Sequence, residues 1–320
     1  MSRAILWFRN DLRLADHPAL TAACAAHEEV LPVLIIDPRQ HEASPFGFDR
    51  SGPFRRRFLK ESIADLDAQL RAKGSALHVR VGEPAAELAH LSEVWGTRVV
   101  HAQQLYAWEE QEQERAVAAA LDLRLHAPNT LLLPGDLPFT VEKLPHVFTS
   151  FRHKVEKLSP VRPLLPEPDR LRSPAAWKGR ALEASALPVQ AIADDPRAVM
   201  HFTGGRTAGL ERLTHYLGPE RHLSHYKETR NALLGADNSS RLSPWLATGA
   251  VIPSVYFRHS RFTPCSDDGA MFRIRRFVTP DQPRFHSPTR HTTIPDCGPA
   301  PPAFAISKPS WFELSTQRFS

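Results

Sequence analysis

The 320-residue chain is 42% hydrophobic and 23% charged, and its 40 Lys and Arg against 35 Asp and Glu leave a formal net charge of +5. That is the make-up of a globular protein with room for two domains, and its mild basicity permits a nucleic-acid partner without identifying one. Cys24, Cys265 and Cys297 are odd in number and far apart. They argue against a disulfide framework and a zinc site, and they fit a reducing compartment, so a cytoplasmic location is expected. The apolar run at the N-terminus is too short for a signal peptide, and no stretch approaches ~20 apolar residues, so no membrane span is expected.

In chain order, Ala4-Ile5-Leu6-Trp7-Phe8 is an apolar run that turns polar at Arg9-Asn10-Asp11, the pattern of a buried strand. Trp7 and Phe8 are expected in the core, and Arg9 and Arg13 in ion pairs at the strand end. His17-Pro18 opens a helix through Leu20 and Ala23, and residues 30–36 form a second buried strand closed by Asp37-Pro38. Phe54, Phe58, Leu59, Ile63, Leu66 and Leu70 recur at helical spacing up to Gly74. Strands at 77–81 and 99–102 alternate with helices at 83–95 and 108–121. Alternating strands and helices imply a parallel sheet covered on both faces, a Rossmann-like α/β domain over residues 1–130. No G-x-G-x-x-G follows the first strand, which disfavours a nicotinamide dehydrogenase.

Residues 131–200 read as an inter-domain linker. Residues 144–157 read as a loop leading into a basic helix, and then Pro160, Pro163, Pro166, Pro168 and Pro174 rule out further helix, leaving a basic, solvated tether. The segment Phe202 to Leu213 starts a helix that runs to Leu217 and places Leu210, Leu213 and Leu217 on one face. His222 and His225 are three apart, which without further ligands implies no metal. Ser239, Ser240 and Ser243 precede Pro244 and the apolar Trp245-Leu246-Ala247, so Ser243 is expected to cap a helix with Pro244 at its first position. Hydroxyls and spare amides at a helix start suit a phosphate or diphosphate, and Arg241, Arg230 and Lys227 add positive charge. A plain capped surface helix fits the same spacing.

Four motifs in order carry a resemblance. They are Trp7 to Leu20 (W-F-R-N-D-L-R-L-A-D-H-P-A-L), Leu144 to Lys157, Phe202 to Leu213, and Tyr226 to Ala247 with its Y-K-E-T-R-N, G-A-D and S-S-R-L-S-P-W-L-A segments. Together they resemble the photolyase/cryptochrome family, most of all its DASH-type cryptochromes, over about residues 1–257. The resemblance implies an α/β antenna domain, an incomplete all-α FAD-binding domain at 201–257, and FAD as cofactor. Tyr226, Ser239, Ser240, Arg241, Leu242 and Ser243 would meet its diphosphate or ribose region. Glu112, with Glu109 second, would hold the pterin of a methenyltetrahydrofolate antenna, since a carboxylate accepts two hydrogen bonds from an amide edge. A solvated acidic helix face is the plain alternative for both. Arg230 would reach a DNA phosphate, or else form a structural ion pair with Glu228 or Asp237.

The implied activity is that of a deoxyribodipyrimidine photolyase-type lyase. It repairs cyclobutane pyrimidine dimers by light-driven electron transfer from reduced FAD, in DNA expected to be single-stranded, and the protein is expected to be a monomer. Other readings are a non-repairing blue-light or nucleic-acid-binding cryptochrome, and a fragment unable to hold FAD. From 258 to 320 the family pattern stops and no helical or strand period is visible, as in a disordered segment or one whose reading frame is lost near Phe257. No catalytic residue is assigned, because those of the family would lie there.

Overall fold

The computed structural model describes residues 1–182, 187, 195, 197–218 and 222–262. The sheet is built around β1 (Arg3–Phe8), which pairs in parallel with β2 (Glu29–Ile36) on one side and β4 (Val99–Gln103) on the other. β3 (His78–Val81) adds beside β2 and β5 (Asp122–His126) beside β4, giving the order β3-β2-β1-β4-β5. β1 is apolar from Ala4 to Phe8 because both of its faces are covered there. Leu6 and Phe8 pack with Leu20, Leu34, Ile63 and Leu66, while Ile5 and Trp7 pack with Leu31, Leu88, Val100 and Val117. Helices α1 (Pro18–Ala26) and α2 (Pro53–Ala72) supply the first layer, and α3 (Pro84–Trp95) and α4 (Trp108–Ala120) the second. The His17 ring accepts the Leu20 amide at 3.1 Å and caps α1, and Glu83 caps α3 through the Ala86 amide at 2.8 Å.

The structure departs from the sequence reading in five places. β5 was not expected. Its Asp-Leu-Arg-Leu-His alternation is the period of a half-exposed strand, and it forms the sheet edge. The proline-rich connection after α5 (Phe148–Leu158) is extended but not a solvated tether. The Val30 amide donates to the Arg172 carbonyl at 2.8 Å, Val79 to Arg180 at 2.8 Å, and the Trp177 indole to Ala76 at 2.8 Å. Leu171 and Trp177 are buried there, so prolines end the helix without expelling the chain from the core. Arg9 pairs with Glu114 at 2.5 Å as expected, but Arg13 does not end in an ion pair. Buried to 1% exposure, it donates to the carbonyls of Ala15, Asp16 and Gly249, and burial pushes its pKa down to about 10 against the pull of Asp11 and Asp16. Ser243 is the first residue of its helix and not the cap, which falls to Leu242. Last, helix α9 (Pro253–Phe262) carries regular structure as far as Phe262, past residue 258, from which an irregular chain was expected. The rest of the tail reading, from residue 263, lies outside the described residues.

α6 (Arg206–Leu217), α8 (Ser243–Ala247) and α9 gather around Leu213, Tyr216, Trp245, Val251 and Val255, with Phe58 of α2 in the same cluster, and the short α7 (Tyr226–Thr229) follows the turn at 222–225. Gly249 ties this cluster to the end of β1. Its φ is +65°, and a Cβ there would collide with the Asn10 carbonyl and the Asn129 amide and lie 2.7 Å from the Asp11 Cα. Gly249→Ala therefore adds a left-handed penalty to an overpacked contact, and a loss of about 2–5 kcal/mol is expected from the urea midpoint. An unchanged midpoint would mean that the turn relaxes freely.

Candidate functional site: an open donor loop and a cleft over the sheet

The loop before α8 is organised by one side chain that the sequence reading passed over. Arg212 of α6 is 8% exposed and lies over the Tyr216 ring, 5.6 Å from its centroid. Its guanidinium donates to the carbonyls of Ala236 (2.9 Å), Ser239 (3.0 Å) and Ser240 (3.0 Å) and to Asp237 Oδ1 (2.6 Å). Burial would raise the Asp237 pKa, but the hydrogen bond and charge of Arg212 outweigh it and hold the carboxyl below its usual range. With the carbonyls turned inward to Arg212, the opposite polarity of the loop is left open. Among the described residues, the backbone amides of 239–243 and the hydroxyls of Ser239, Ser240 and Ser243 have no hydrogen-bond partner. Arg241 has φ +52°, a left-handed conformation rare for a residue with a side chain, and its guanidinium donates to the carbonyls of Gly235 (3.0 Å) and Ala236 (3.2 Å). The result is a run of N–H and O–H donors beside two guanidinium groups, a donor set that fits a diphosphate.

The six flavin candidates divide in their placement. Ser239, Ser240 and Arg241 are partly exposed on the loop, Ser243 is exposed, and Leu242 is buried at 1% in the cluster below. Tyr226 begins α7 and is partly buried. Burial, with Tyr256 and Tyr226 nearby, pushes the Tyr216 phenol pKa up. Arg230 stands exposed at the end of α7. A cleft of about 1060 Å³ opens between α2, residues 198–202 and α8, lined by Phe54, Arg55, Phe58, Phe202, Arg241 and Pro244. Of the flavin candidates only Arg241 lines this cleft.

A second site lies where the strand order reverses, at the C-terminal ends of β1 and β4, the usual crevice of a doubly wound sheet. One cavity of about 200 Å³ is lined by Trp7, Arg9, Asp37, Arg50, Glu109 and Gln113. A neighbouring one of about 390 Å³ is lined by Asp37, Arg50, Trp108, Glu109, Glu112 and Gln113. Glu109 borders both and pairs with Arg50; Glu112 borders only the second and pairs with Arg115. Asp37, which borders both, would have its pKa raised by burial, but hydrogen bonds from Arg39 and Gln113 keep it low.

A parallel sheet with such a crevice, joined to helices that carry an open donor loop, is a nucleotide-type α/β architecture. Comparison narrows it. The DNA photolyase family model matches residues 4–169, more than half of the 320-residue chain, and the chain belongs to that family. It is 42% identical over 253 residues to a cryptochrome DASH of Gloeobacter violaceus, a match covering 77% of this chain and 51% of that protein. It is 39% identical to a cryptochrome DASH of Natronomonas pharaonis, covering 79% and 55%. The crystal structure of the Synechocystis sp. PCC6803 cryptochrome superposes with a TM-score of 0.76 at 34% identity, covering 83% of this chain and 57% of that one. The chain thus spans about half the length of the curated relatives it matches.

Proposed function

We propose that the chain is a light-dependent flavoprotein that binds FAD with the diphosphate on loop 239–243 and acts on cyclobutane pyrimidine dimers in single-stranded DNA. The observation that carries this reading is the open run of amides and serine hydroxyls held outward by Arg212. When bound, reduced FAD would supply the light-driven electron, so the protein's part is to bind, orient and shield. Ser239, Ser240 and Ser243 donate to diphosphate oxygens, Arg241 adds charge, and Tyr226 flanks the ribose. Arg230 holds a DNA phosphate, which positions the strand without reading it. Glu112 and Glu109 accept the pterin edge of a folate antenna at the second site. We assign the protein to the cytoplasm, as a monomer.

The first test is the visible spectrum of the purified full chain. A yellow protein with flavin absorbance supports the reading, and Ser239→Ala/Ser240→Ala should weaken flavin binding at least tenfold, about 1.4 kcal/mol. Loss of dimers from single-stranded DNA under blue light would then establish repair. Because the chain spans about half the length of its relatives, two other outcomes are defined in advance. Flavin-loaded protein that binds damaged DNA and leaves dimers intact is a non-repairing cryptochrome, and colourless protein is a chain unable to hold FAD.

A further inference from the structure

The sequence places His222 beside His225, and that pair alone defines no metal site. The fold gives His222 different company. His215 near the end of α6, His222 in the helical turn at 222–225, and Asp237 on the donor loop converge from three segments. One ligand atom from each lies within 4.8 Å of the other two. His215 Nε2 is 3.1 Å from Asp237 Oδ1, and His222 Nε2 is 4.0 Å from Asp237 Oδ2. The two imidazole rings are 4.8 Å apart by centroid, and the Tyr216 ring stacks on His222 at 6.2 Å and 20°.

We propose that His215, His222 and Asp237 form a binding site for a divalent transition metal of the zinc class. Two imidazoles and a carboxylate are a borderline ligand set that favours zinc over magnesium or calcium, which take oxygen. Tetrahedral coordination with bonds of about 2.0–2.2 Å sets ligand atoms roughly 3.4 Å apart, so side-chain shifts of about 1 Å close the site. The supporting shell is present. Arg212 fixes the carboxylate from the buried side through Oδ1, leaving Oδ2 toward His222, as outer hydrogen bonds do for metal-ligating carboxylates. Side-chain exposures of 40% for His215, 24% for His222 and 33% for Asp237 leave the fourth position to water or an incoming ligand. A bound cation would pin α6 to the turn at 222–225 and to the donor loop, and it would add positive charge next to Ser239 and Ser240. The proposal does not rest on the flavin reading, since the site is complete without any nucleotide.

The test is a titration of the full chain, stripped with chelator, with Zn²⁺ and separately with Mg²⁺. One tight equivalent of Zn²⁺ is expected, with at least tenfold preference over Mg²⁺. The chain has 16 histidines, so the variants decide where the metal sits. His215→Ala and His222→Ala, both at partly exposed positions, should each weaken the tight equivalent at least tenfold, while His225→Ala leaves it unchanged. Binding that survives in the His215→Ala/His222→Ala double variant overturns the proposal, as does the absence of a tight equivalent in the parent chain. Asp237→Asn is a poor probe, because it also removes the Arg212 partner.

Discussion

Arg212→Met is expected to cost about 2–4 kcal/mol of folding stability and, if the proposed flavin site is right, to abolish flavin retention. The native guanidinium answers three carbonyls and one carboxylate on the five residues 236–240 from a nearly buried position. Methionine fills similar space but donates nothing. Breaking a buried pair by removing one partner costs about 3–5 kcal/mol. Asp237 is 33% exposed, however, so water recovers part of that and the lower figure follows. The functional loss should exceed the stability loss. Once unanchored, the carbonyls of 236, 239 and 240 are free to rotate outward, and each outward carbonyl replaces a donor with an acceptor that repels phosphate. Arg212→Lys keeps the charge but cannot reach four acceptors, so it should recover stability better than binding. Hydrogen exchange of the amides at 236–243 gives a readout independent of flavin. It should quicken in both variants, most in Arg212→Met. A methionine variant with native exchange in this loop and native flavin content would remove Arg212 from the account.

How much of this was legible in the sequence follows from the range of each interaction. β1 to β4 and the helices between them are local patterns, and an apolar run such as residues 4–8 announces a doubly covered strand directly. The helix start behind the loop serines was also readable, because cap-and-proline grammar is local, although the cap itself moved one residue to Leu242. Arg212 was not readable. It lies in an ordinary amphipathic helix, 24–28 residues before its partners, and nothing in the order of residues shows which arginine turns inward. His215, His222 and Asp237 are hidden for the same reason, since their spacing follows no metal motif and only the packing of α6 against the loop unites them. The connection at 159–182 failed in the opposite sense. Its prolines correctly excluded helix, but composition carries no information on whether an extended segment lies on a sheet edge, as Arg180 does beside His78.

Mild acid should destabilise the protein well before its depressed carboxylates titrate. His101 sits in β4 at 2% exposure, its Nδ1 2.9 Å from His126 Nε2 and its Nε2 3.3 Å from His27 Nε2. Burial first, then the neighbouring His126, His27 and Arg124, push its pKa down to about 4 against the opposing pull of Asp122. His78, packed on Trp177, is also pushed down to about 4, by burial and by Arg80 and Arg180. Burial is likewise the first cause of the lowered pKa of His27, His41 and His126. His101 and His78 therefore stay neutral in the folded protein down to about pH 4, whereas an unfolded histidine takes up a proton near 6.5. Between about pH 6.5 and 4 the unfolded chain therefore binds more protons, and stability falls as pH falls through that window. His101 alone accounts for about 2 kcal/mol between about pH 7.5 and 5. His78 is partly exposed, so its share is smaller. Asp11, Asp37 and Asp237, with pKa values already lowered, lose their contribution only under more acid conditions and leave this window to the histidines. The urea midpoint should drop steeply from about pH 7.5 to about pH 5, and His101→Phe, which cannot take up a proton, should flatten that slope whatever it does to the midpoint itself. A midpoint independent of pH across the window would show that protons reach the His27–His101–His126 chain without unfolding it.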